Sequence, residues 1–497
     1  MTISSLSKSQ YIKGLQCPKK LWLYRNRKDL SPEIDSAKQA KFDTGHEVGE
    51  YAKKIFSNLK AAEIDNEHWD IDGATEKTEQ FTADKCAVLF EATAKHPISG
   101  HYSRIDILKQ SDDGQSWDMI EVKSSTSVKD YHLDDIAFQY YVFSSAGYKI
   151  NRCYIAVINN QYIREGDIDP EQLLKFEDVT DIVLPRQQTV HETASQLEYV
   201  LQRDSEPSVT IGKKCFDPHE CDFKDYCWKN VPEYSTFDVL TKSKAEQLAP
   251  QFGYEISQLP HQHWPNGVKR QDIEAYINGK IIVDREVIKR FLDPLQYPLY
   301  FLDYETIGPA VPLFDGTKSY QAVPFQYSLH IQESAGGTLK HHAFLYQDIS
   351  DPREEFIKSL INDCGKTGSI IVYNKGFEAG KNKELAQQFP QYSDALLALN
   401  ERMIDLMIPF KNRWLYHPNQ KSSASIKAVL PSFTDLNYSD LEIGNGSDAS
   451  QLYTDFINSK LKNKKAENLF INLKAYCEQD TYAMVLLLNA LRNNIKN

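Results

Sequence analysis

Two acidic residues interrupt an apolar segment of the sequence, LYFLDYETIGP, which runs from Leu299 to Pro309. The aromatic and aliphatic residues predict a buried β-strand, and alternation along a strand places Asp303 and Glu305 on one face. Two like charges at that spacing repel, and burial makes each charge more costly. A hard divalent cation, Mg²⁺ or Mn²⁺, would neutralise both carboxylates at once. The alternative is an exposed edge strand whose acids are solvated.

Further acidic side chains occur downstream at positions that could complete such a site. The segment SIIVYNKGFEAGKN predicts a buried strand, a turn and a helix, with Glu378 just inside the helix. The segment NLKAYCEQDTYAMVLLLNAL predicts an amphipathic helix, and Tyr476 and Asp480, four residues apart, share one of its faces. If that face packs against the end of the strand that carries Asp303 and Glu305, all four carboxylates converge on a single metal site.

The first half of the chain contains a second combination of acids with a lysine. The segments ISGHYSRIDILKQ and WDMIEVKSST predict two strands of a hairpin, joined by a turn at SDDGQ. Glu121 and Lys123 share a face, and Asp106 on the partner strand can lie beside Glu121. Two carboxylates could hold a metal while the lysine orients the attacking water, a geometry suited to phosphodiester hydrolysis. The alternative is an ordinary cross-strand salt bridge.

Four of the eight cysteines have a spacing that suggests a metal site. Three of them are evenly spaced in CFDPHECDFKDYCW, and the fourth lies near the start of the chain in LQCPKKLWLYR. In a reducing compartment such a group indicates a bound metal more often than disulfides. The candidate ligands are Cys17, Cys215, Cys221 and Cys227. The others are predicted to be small buried residues: Cys86, Cys153, Cys364 and Cys477.

Length and composition predict a multidomain globular protein. The chain has 497 residues, of which 41% are hydrophobic and 25% charged, and this length predicts two to three domains. We predict an α/β fold divided into residues 1–234, a helical connector at 235–296, and residues 297–497. The absence of a 20-residue apolar run and of a signal peptide predicts a cytoplasmic protein with no membrane contact. The net charge of −12 argues against broad polyanion binding but leaves room for a local basic groove.

The first region resembles the RecB-type branch of the PD-(D/E)XK nucleases, and in particular its CRISPR-associated exonucleases. The resemblance implies a restriction-endonuclease-like fold, with Asp106, Glu121 and Lys123 as the catalytic core. It also implies that the four cysteines bind a [4Fe–4S] cluster, with zinc as the alternative. The helix GHEVGEYAKKIF would supply another metal ligand, Glu50 or alternatively His46. The helix DDIAFQYYVFSSAG resembles the Q-x-x-x-Y helix of these nucleases.

The last region resembles the DnaQ-like DEDD exonucleases, which have an RNase H-like fold. DYE matches the first motif, NKGFE the second with Glu378 in place of an aspartate, and YCEQD the third. The resemblance implies that Asp303, Glu305, Glu378 and Asp480 bind Mg²⁺ or Mn²⁺. Tyr476 would then position the attacking water. For Asp405, in MIDLMIPF, we expect a capping or supporting role rather than direct ligation.

The two regions together resemble bacterial RecB-family nucleases. The resemblance implies a metal-dependent exonuclease with two active sites, acting on DNA rather than RNA, with a role in DNA repair or in defence against foreign DNA. Two alternatives stay open at this point. One is a nucleic-acid-binding scaffold in which only one domain is catalytic, and the other is an exonuclease directed at RNA.

Overall fold

The computed structural model describes residues 5–458 and 464–496 and shows an α/β protein with two compact units. Unit 1 comprises Met1–Asn230 and Ala310–Tyr320, and unit 2 comprises Val231–Pro309 and Gln321–Asn497. The predicted connector, residues 235–296, therefore belongs to unit 2. None of the helices in the described part of the chain has the length and apolar character needed to cross a membrane.

Unit 1 is built on a six-stranded mixed sheet in the order β1-β2-β3-β4-β5-β6. Its strands are β1 (Ala61–Glu63), β2 (Val88–Lys95), β3 (Tyr102–Gln110), β4 (Trp117–Lys123), β5 (Ile150–Ile158) and β6 (Leu174–Asp178). Its helices are α1 (Lys8–Gln16), α2 (Pro18–Asn26), α3 (Ser36–Lys54), α4 (Ile71–Ala83), α5 (Asp130–Ser145), α6 (Pro170–Leu173), α7 (Thr180–Val183), α8 (Gln187–Leu201) and α9 (Lys224–Trp228).

The central strands of unit 1 are buried on both faces. One face packs on α1, α5 and α8 through residues such as Met119 and Phe138, and the other packs on α3 through residues such as Ile120 and Val48. Strands β3 and β4 pair antiparallel, as the hairpin prediction requires, and Ile107 lies opposite Ile120.

Unit 2 contains a five-stranded sheet in the order β10-β9-β8-β11-β12, in which β9 alone runs opposite to the others. Its strands, with the separate β7–β13 pair, are β7 (Ile282–Val283), β8 (Leu299–Ile307), β9 (Val323–Gln332), β10 (Leu339–Leu345), β11 (Ser369–Val372), β12 (Met403–Asp405) and β13 (Leu415–Tyr416). Its helices are α10 (Thr236–Val239), α11 (Lys242–Phe252), α12 (Val268–Asn278), α13 (Arg285–Leu292), α14 (Arg353–Asp363), α15 (Lys375–Gln388), α16 (Ser393–Glu401), α17 (Met407–Lys411), α18 (Ile426–Phe433), α19 (Gly446–Ile457) and α20 (Lys464–Lys496).

The β8 strand lies at the centre of this sheet, so the edge-strand alternative for the DYE segment is wrong. Leu302 and Tyr304 pack on α14, α15 and α16, whereas Leu299 and Phe301 face α18 and α20. The alternation therefore directs Asp303 toward the α20 side of the sheet.

The connector is fixed to the rest of unit 2 by a buried ion pair and by strand pairing. Arg413 donates two hydrogen bonds to the Asp272 carboxylate, at 2.5 and 2.9 Å, and both side chains are buried. Strand β7 pairs antiparallel with β13. Removing one partner of such a pair would leave a buried charge, so these contacts hold the segment firmly in place.

Candidate active sites and a cysteine cluster

The acidic pair on β8 lies beside the helix α20 in unit 2. Ligand atoms of Asp303, Glu305 and Cys477 lie within 4.8 Å of one another. Glu305 is 7% exposed, and Cys477 is fully buried with its sulfur 3.8 Å from an oxygen of the Asp303 carboxylate. The β8 strand therefore presents its two carboxylates to α20, as the sequence predicted.

The same helix brings Asp480 and Tyr476 to this place. Tyr438, from the segment after α18, donates a hydrogen bond of 2.5 Å to Oδ1 of Asp480. The Tyr476 ring centre lies 6.3 Å from that of Tyr438, and the Lys427 ammonium lies 5.3 Å from both ring centres. Asp480 therefore lies near Asp303, and two tyrosines and one lysine lie beside it.

Glu378 enters from the first turn of α15 and is almost fully buried. Its Oε2 atom has no hydrogen-bond partner, which is unusual for a buried carboxylate. The turn before α15 is shaped by Asn374, whose φ of +84° lies in the left-handed region that asparagine tolerates. Asp405 accepts hydrogen bonds from the backbone N–H groups of Asn374 and Met407, which is the capping role expected for it.

Burial and mutual repulsion favour the protonated form of the carboxyl groups that meet at this site. We refer to Asp303, Glu305, Glu378 and Asp480 as the unit 2 carboxylate site. Burial, the larger cause, and the charges of the nearby carboxyls keep the pKa of Asp303 well above its usual range. Burial raises the pKa of Glu305 and of Glu378 to about 8. It raises the pKa of Asp480 to about 6, against the opposing effects of Tyr438 and Lys427. A bound divalent cation would reverse these shifts.

We expect the protein without divalent cations to lose stability as the pH rises from about 4.5 to about 8, because of Glu305 and Glu378. Their pKa is higher in the folded than in the unfolded state, so folded molecules retain protons that unfolded molecules release. Their contribution is therefore fully present below the unfolded pKa and is lost as the pH rises through the folded pKa. Urea unfolding in EDTA at a series of pH values measures this slope, and Mn²⁺ should reduce it.

A matched pair of variants isolates the contribution of one carboxyl to this slope. Glu378→Gln removes a buried titrating group and should flatten the pH profile. Glu384→Gln changes a half-exposed residue of the same helix, paired with Lys381 at 2.6 Å, and should retain the wild-type slope. Identical profiles for Glu378→Gln and the wild type would contradict the assignment.

Unit 1 brings its predicted acids together at a cavity of about 380 Å³. The cavity is lined by residues of α3, β2, β3 and β4, among them His46, Glu50, Glu91, Asp106, Glu121 and Lys123. Glu91 was not predicted, and it lies on β2 with a φ of +58°, at a position that the otherwise constant pairing with β3 skips. Asp106 accepts a hydrogen bond of 2.6 Å from the Val122 N–H. We refer to Asp106 and Glu121 as the unit 1 carboxylate site.

Both Glu121 oxygens already have charged or polar partners. Lys8 and Lys123 each donate to Oε1, at 2.8 and 2.7 Å, and Gln139 donates to Oε2 at 2.7 Å. Lys123 also donates to the buried Asp135 at 2.6 Å. Lys8 and Asp135 were not predicted, whereas Gln139 is the glutamine of the Q-x-x-x-Y-like helix.

These partners shift the pKa values of Glu121 and Asp106 in opposite directions. Burial opposes ionisation of Glu121, but the ammonium groups of Lys123 and Lys8 outweigh it and hold the pKa of that carboxyl well below its usual range. Burial and the charge of Glu121 raise the pKa of Asp106 to about 7. The unit 1 carboxylate site thus combines one stable carboxylate with one acid that titrates near neutral pH.

The two candidates for the additional ligand in unit 1 both line this cavity. Glu50 is on α3, its side chain is 65% exposed, and it pairs with Lys53 at 2.8 Å. His46 lies one helical turn earlier on the same helix and lines the same cavity. Glu50 and His46 therefore both remain candidates for the additional metal ligand.

The four predicted cysteine ligands also lie together in unit 1. Cys17, Cys215, Cys221 and Cys227 line one small cavity, and we refer to them as the cysteine cluster. Gln16, next to the first of them, donates hydrogen bonds to the carbonyls of Lys214 and His219, at 2.9 and 2.7 Å. The start of the chain is thereby joined to the end of the unit. The remaining four cysteines are buried, as predicted.

The distances between the four sulfur atoms can be compared with those around a single zinc ion. Two thiolates on one tetrahedral zinc ion lie about 3.8 Å apart, given zinc–sulfur bonds of about 2.3 Å. Among the described residues, the groups of three or more ligand atoms within 4.8 Å of one another include none of these cysteines. No three of these four sulfur atoms therefore lie within 4.8 Å of one another.

Comparison with known proteins gives partial matches. A family described as a domain of unknown function (DUF2779) matches residues 300–425, which include Asp303, Glu305 and Glu378 but not Asp480. The chain is 27% identical over 282 residues to the uncharacterized protein UU173 of Ureaplasma parvum, covering 52% of this chain and 40% of that protein. It is 26% identical over 243 residues to an uncharacterized MG366 homolog of Mycoplasma pneumoniae, covering 45% of this chain and 37% of that protein. The chain therefore spans less than half the length of these relatives.

Proposed function

We propose that this chain is a metal-dependent nuclease with an exonuclease centre in unit 2 and a second hydrolytic centre in unit 1. The observation that carries the proposal is the convergence of four carboxylates in unit 2, one of which has a buried oxygen without a partner. Burying four carboxylates together without a bound cation costs folding free energy. Oxygen donors of this kind suit Mg²⁺ or Mn²⁺.

In this proposal each residue of the unit 2 carboxylate site has a definite task. Divalent ions, when bound, would lower the pKa of the attacking water and stabilise the leaving oxygen. Asp303, Glu305, Glu378 and Asp480 would hold them. Tyr476 would orient the water, and Tyr438 would fix the Asp480 carboxylate through its hydrogen bond. The mixed sheet with the first two acids on its central strand supports an RNase H-like assignment for unit 2.

Unit 1 is proposed to have a PD-(D/E)XK fold with Asp106, Glu121 and Lys123 as its catalytic residues. Support comes from their meeting at one cavity, with Gln139 bonded to Glu121. One observation favours the alternative that only unit 2 is catalytic. Both Glu121 oxygens are engaged by lysines and an amide, so a metal would have to displace at least one of these partners.

Glu121→Gln distinguishes these alternatives when it is made in an Asp303→Asn background. If unit 1 is catalytic, the background variant retains divalent-dependent cleavage, and Glu121→Gln removes it because the metal loses a ligand. The control is Glu177→Gln, an exposed glutamate on β6 of the same sheet, which should leave cleavage unchanged. Equal residual cleavage with and without Glu121 would exclude Glu121 as a ligand, and no residual cleavage at all would support a binding role for unit 1.

The cysteine cluster is proposed to hold a [4Fe–4S] cluster, with zinc as the alternative. Four thiolates around one cavity supply the full ligand set that such a cluster needs. Bound there, it would tie the chain start at Cys17 to the end of unit 1, which supports a structural role.

Cys221→Ser should remove the visible absorbance and most of the iron of anaerobically purified protein, because it replaces one thiolate ligand. Unit 1 should also become less stable, since the cluster joins distant segments. Cys86→Ala, at a buried cysteine away from the cluster, should retain both the iron and the colour. Colourless wild-type protein with stoichiometric zinc would contradict the iron assignment.

The substrate is tested with labelled single- and double-stranded DNA and RNA in Mg²⁺ or Mn²⁺. We propose DNA as the substrate and mononucleotides released from an end as the products. Circular single-stranded DNA should resist the unit 2 centre. Internal cuts in circular DNA that persist in Glu121→Gln but vanish in Asp303→Asn would contradict the exonuclease assignment.

A further inference from the structure

A second group of possible metal ligands lies in unit 2, on β9, β10 and α20. His330, His341 and Glu478 each offer one ligand atom, and the three atoms lie within 4.8 Å of one another. The centres of the two imidazole rings are 4.5 Å apart. His330 is buried, whereas the Glu478 side chain is half exposed. We refer to these three residues as the histidine cluster, and none of them belongs to the unit 2 carboxylate site.

One nitrogen of each ring is occupied by a hydroxyl group. His330 Nδ1 lies 2.8 Å from Thr481 Oγ1, and His341 Nε2 lies 2.9 Å from Ser328 Oγ. The two hydroxyls are 2.7 Å apart and bond to each other. This chain of hydrogen bonds orients both rings and leaves His330 Nε2 and His341 Nδ1 for another partner.

One assignment of the protons uses every contact in this series of hydrogen bonds. In it, Thr481 donates its proton to the carbonyl oxygen of Glu478, which lies 3.0 Å from Thr481 Oγ1 and can only accept. Ser328 must then donate to Thr481. Because both hydroxyl protons are used, each ring must donate its own N–H to a hydroxyl. In this assignment the bare lone pairs lie on His330 Nε2 and His341 Nδ1.

In this assignment the contact between His341 and Glu478 places two hydrogen-bond acceptors opposite each other. Burial and the neighbouring histidine lower the pKa of His330 to about 4, and burial lowers the pKa of His341 against the opposing charge of Glu478, so both shifts favour neutral rings. His341 Nδ1 lies 3.6 Å from Glu478 Oε1, which is too long for a hydrogen bond. Two ligands on one tetrahedral zinc ion, each about 2.1 Å from the metal, lie about 3.4 Å apart. The observed separation is close to that value.

We propose that the histidine cluster binds one zinc-type cation, which ties α20 to β9 and β10. Two imidazoles and one carboxylate suit Zn²⁺ better than Mg²⁺, which prefers oxygen donors. Histidine ligands usually donate their second ring N–H to a fixed acceptor, as both rings do here. The site does not depend on the proposed nuclease function. It would steady the helix that carries Tyr476 and Asp480, and three protein donors leave one coordination position for water.

The test is Zn²⁺ binding to the full chain, measured by competition with a chromophoric chelator. We expect the wild type to bind one more Zn²⁺ per chain than His341→Gln, and Glu478→Gln to bind that ion at least about 10-fold more weakly. The control is His342→Gln, at the next position of β10, whose ring lies 3.7 Å from Asp363 rather than in the cluster. It should bind Zn²⁺ as the wild type does.

Two results would overturn the proposal. One is equal Zn²⁺ stoichiometry and affinity for the wild type, His341→Gln and Glu478→Gln, with all three folded by circular dichroism. The other is an NMR titration in which Glu478→Gln only lowers the pKa of His341 while Zn²⁺ leaves its ring signals unchanged. That pattern would identify an ordinary imidazolium–carboxylate pair. Because no cleavage is measured, neither result depends on whether the chain is a nuclease.

Discussion

Replacing Asp303 by asparagine is expected to abolish both divalent-cation binding and cleavage at the unit 2 carboxylate site. Asp303 lies among the other carboxyls of the site, and its charge would be needed to hold the cations. Loss of several kcal/mol of charge stabilisation in the transition state corresponds to about 10³-fold or more in rate. The change is isosteric, so the fold should persist. Mn²⁺ binding and end-directed cleavage, both measured in a Glu121→Gln background, check this result.

The matched control for this change is Asp293→Asn. Asp293 is exposed at the end of α13 and pairs with Lys289 at 2.7 Å, so its loss should leave Mn²⁺ affinity and cleavage unchanged. If Asp303→Asn retained wild-type cleavage while losing Mn²⁺, the cation would not take part in the reaction, and the proposed chemistry would be wrong.

Replacing Tyr476 by phenylalanine is expected to slow cleavage by about 10²–10⁴-fold without weakening Mn²⁺ binding. Groups that position or activate an attacking water typically contribute that much. Tyr476 is buried beside Asp480, and the change removes only its hydroxyl, so the carboxylates stay in place. Single-turnover rates at saturating Mn²⁺ measure the chemical step separately from binding.

Tyr482→Phe provides the comparison on the same helix. Tyr482 is 41% exposed, and its change should leave the single-turnover rate at the wild-type value. Equal rates for Tyr476→Phe and the wild type would show that this hydroxyl does not act on the water. A parallel loss of Mn²⁺ affinity and rate would instead assign Tyr476 a structural role in holding Asp480.

The parts of the fold predicted from sequence were those governed by local pattern. Alternation along LYFLDYETI correctly directed Asp303 and Glu305 to one face, because period-two burial is a property of the strand itself. The hairpin that carries Asp106 and Glu121 was predicted for the same reason, and the long amphipathic helix of Tyr476 was predicted from its 3.6-residue period. The place of the DYE strand within its sheet depends on pairing with remote segments, and local pattern left the edge-strand alternative open.

The residues that complete each site were missed because remote segments bring them there. Lys8 bonds to Glu121 across 113 positions of the chain, and no spacing rule links them. Glu91 reaches the cavity through a left-handed backbone position within β2, which a strand pattern does not reveal. In unit 2, Tyr438 had no motif to mark it. Cys477 could have been noticed, since it lies inside the YCEQD motif.

The connector shows that clear local signals do not reveal which compact unit a segment joins. The segment was predicted to be helical, and its stretches LTKSKAEQLAPQF and DREVIKRFLD contain α11 and α13. Its attachment to unit 2 depends on the Arg413–Asp272 pair and on the β7–β13 pairing, both of which join segments more than 100 residues apart. Sequence order alone therefore could not show that these helices belong to the second compact unit.

The most direct test of the central claim is mononucleotide release from end-labelled single-stranded DNA in Mn²⁺, measured for the wild type and for the Asp303→Asn/Glu121→Gln double variant. The nuclease proposal predicts that the wild type degrades the strand from an end and that the folded double variant releases nothing. A double variant as active as the wild type, or a wild type inactive on DNA and RNA in both Mg²⁺ and Mn²⁺, would contradict it.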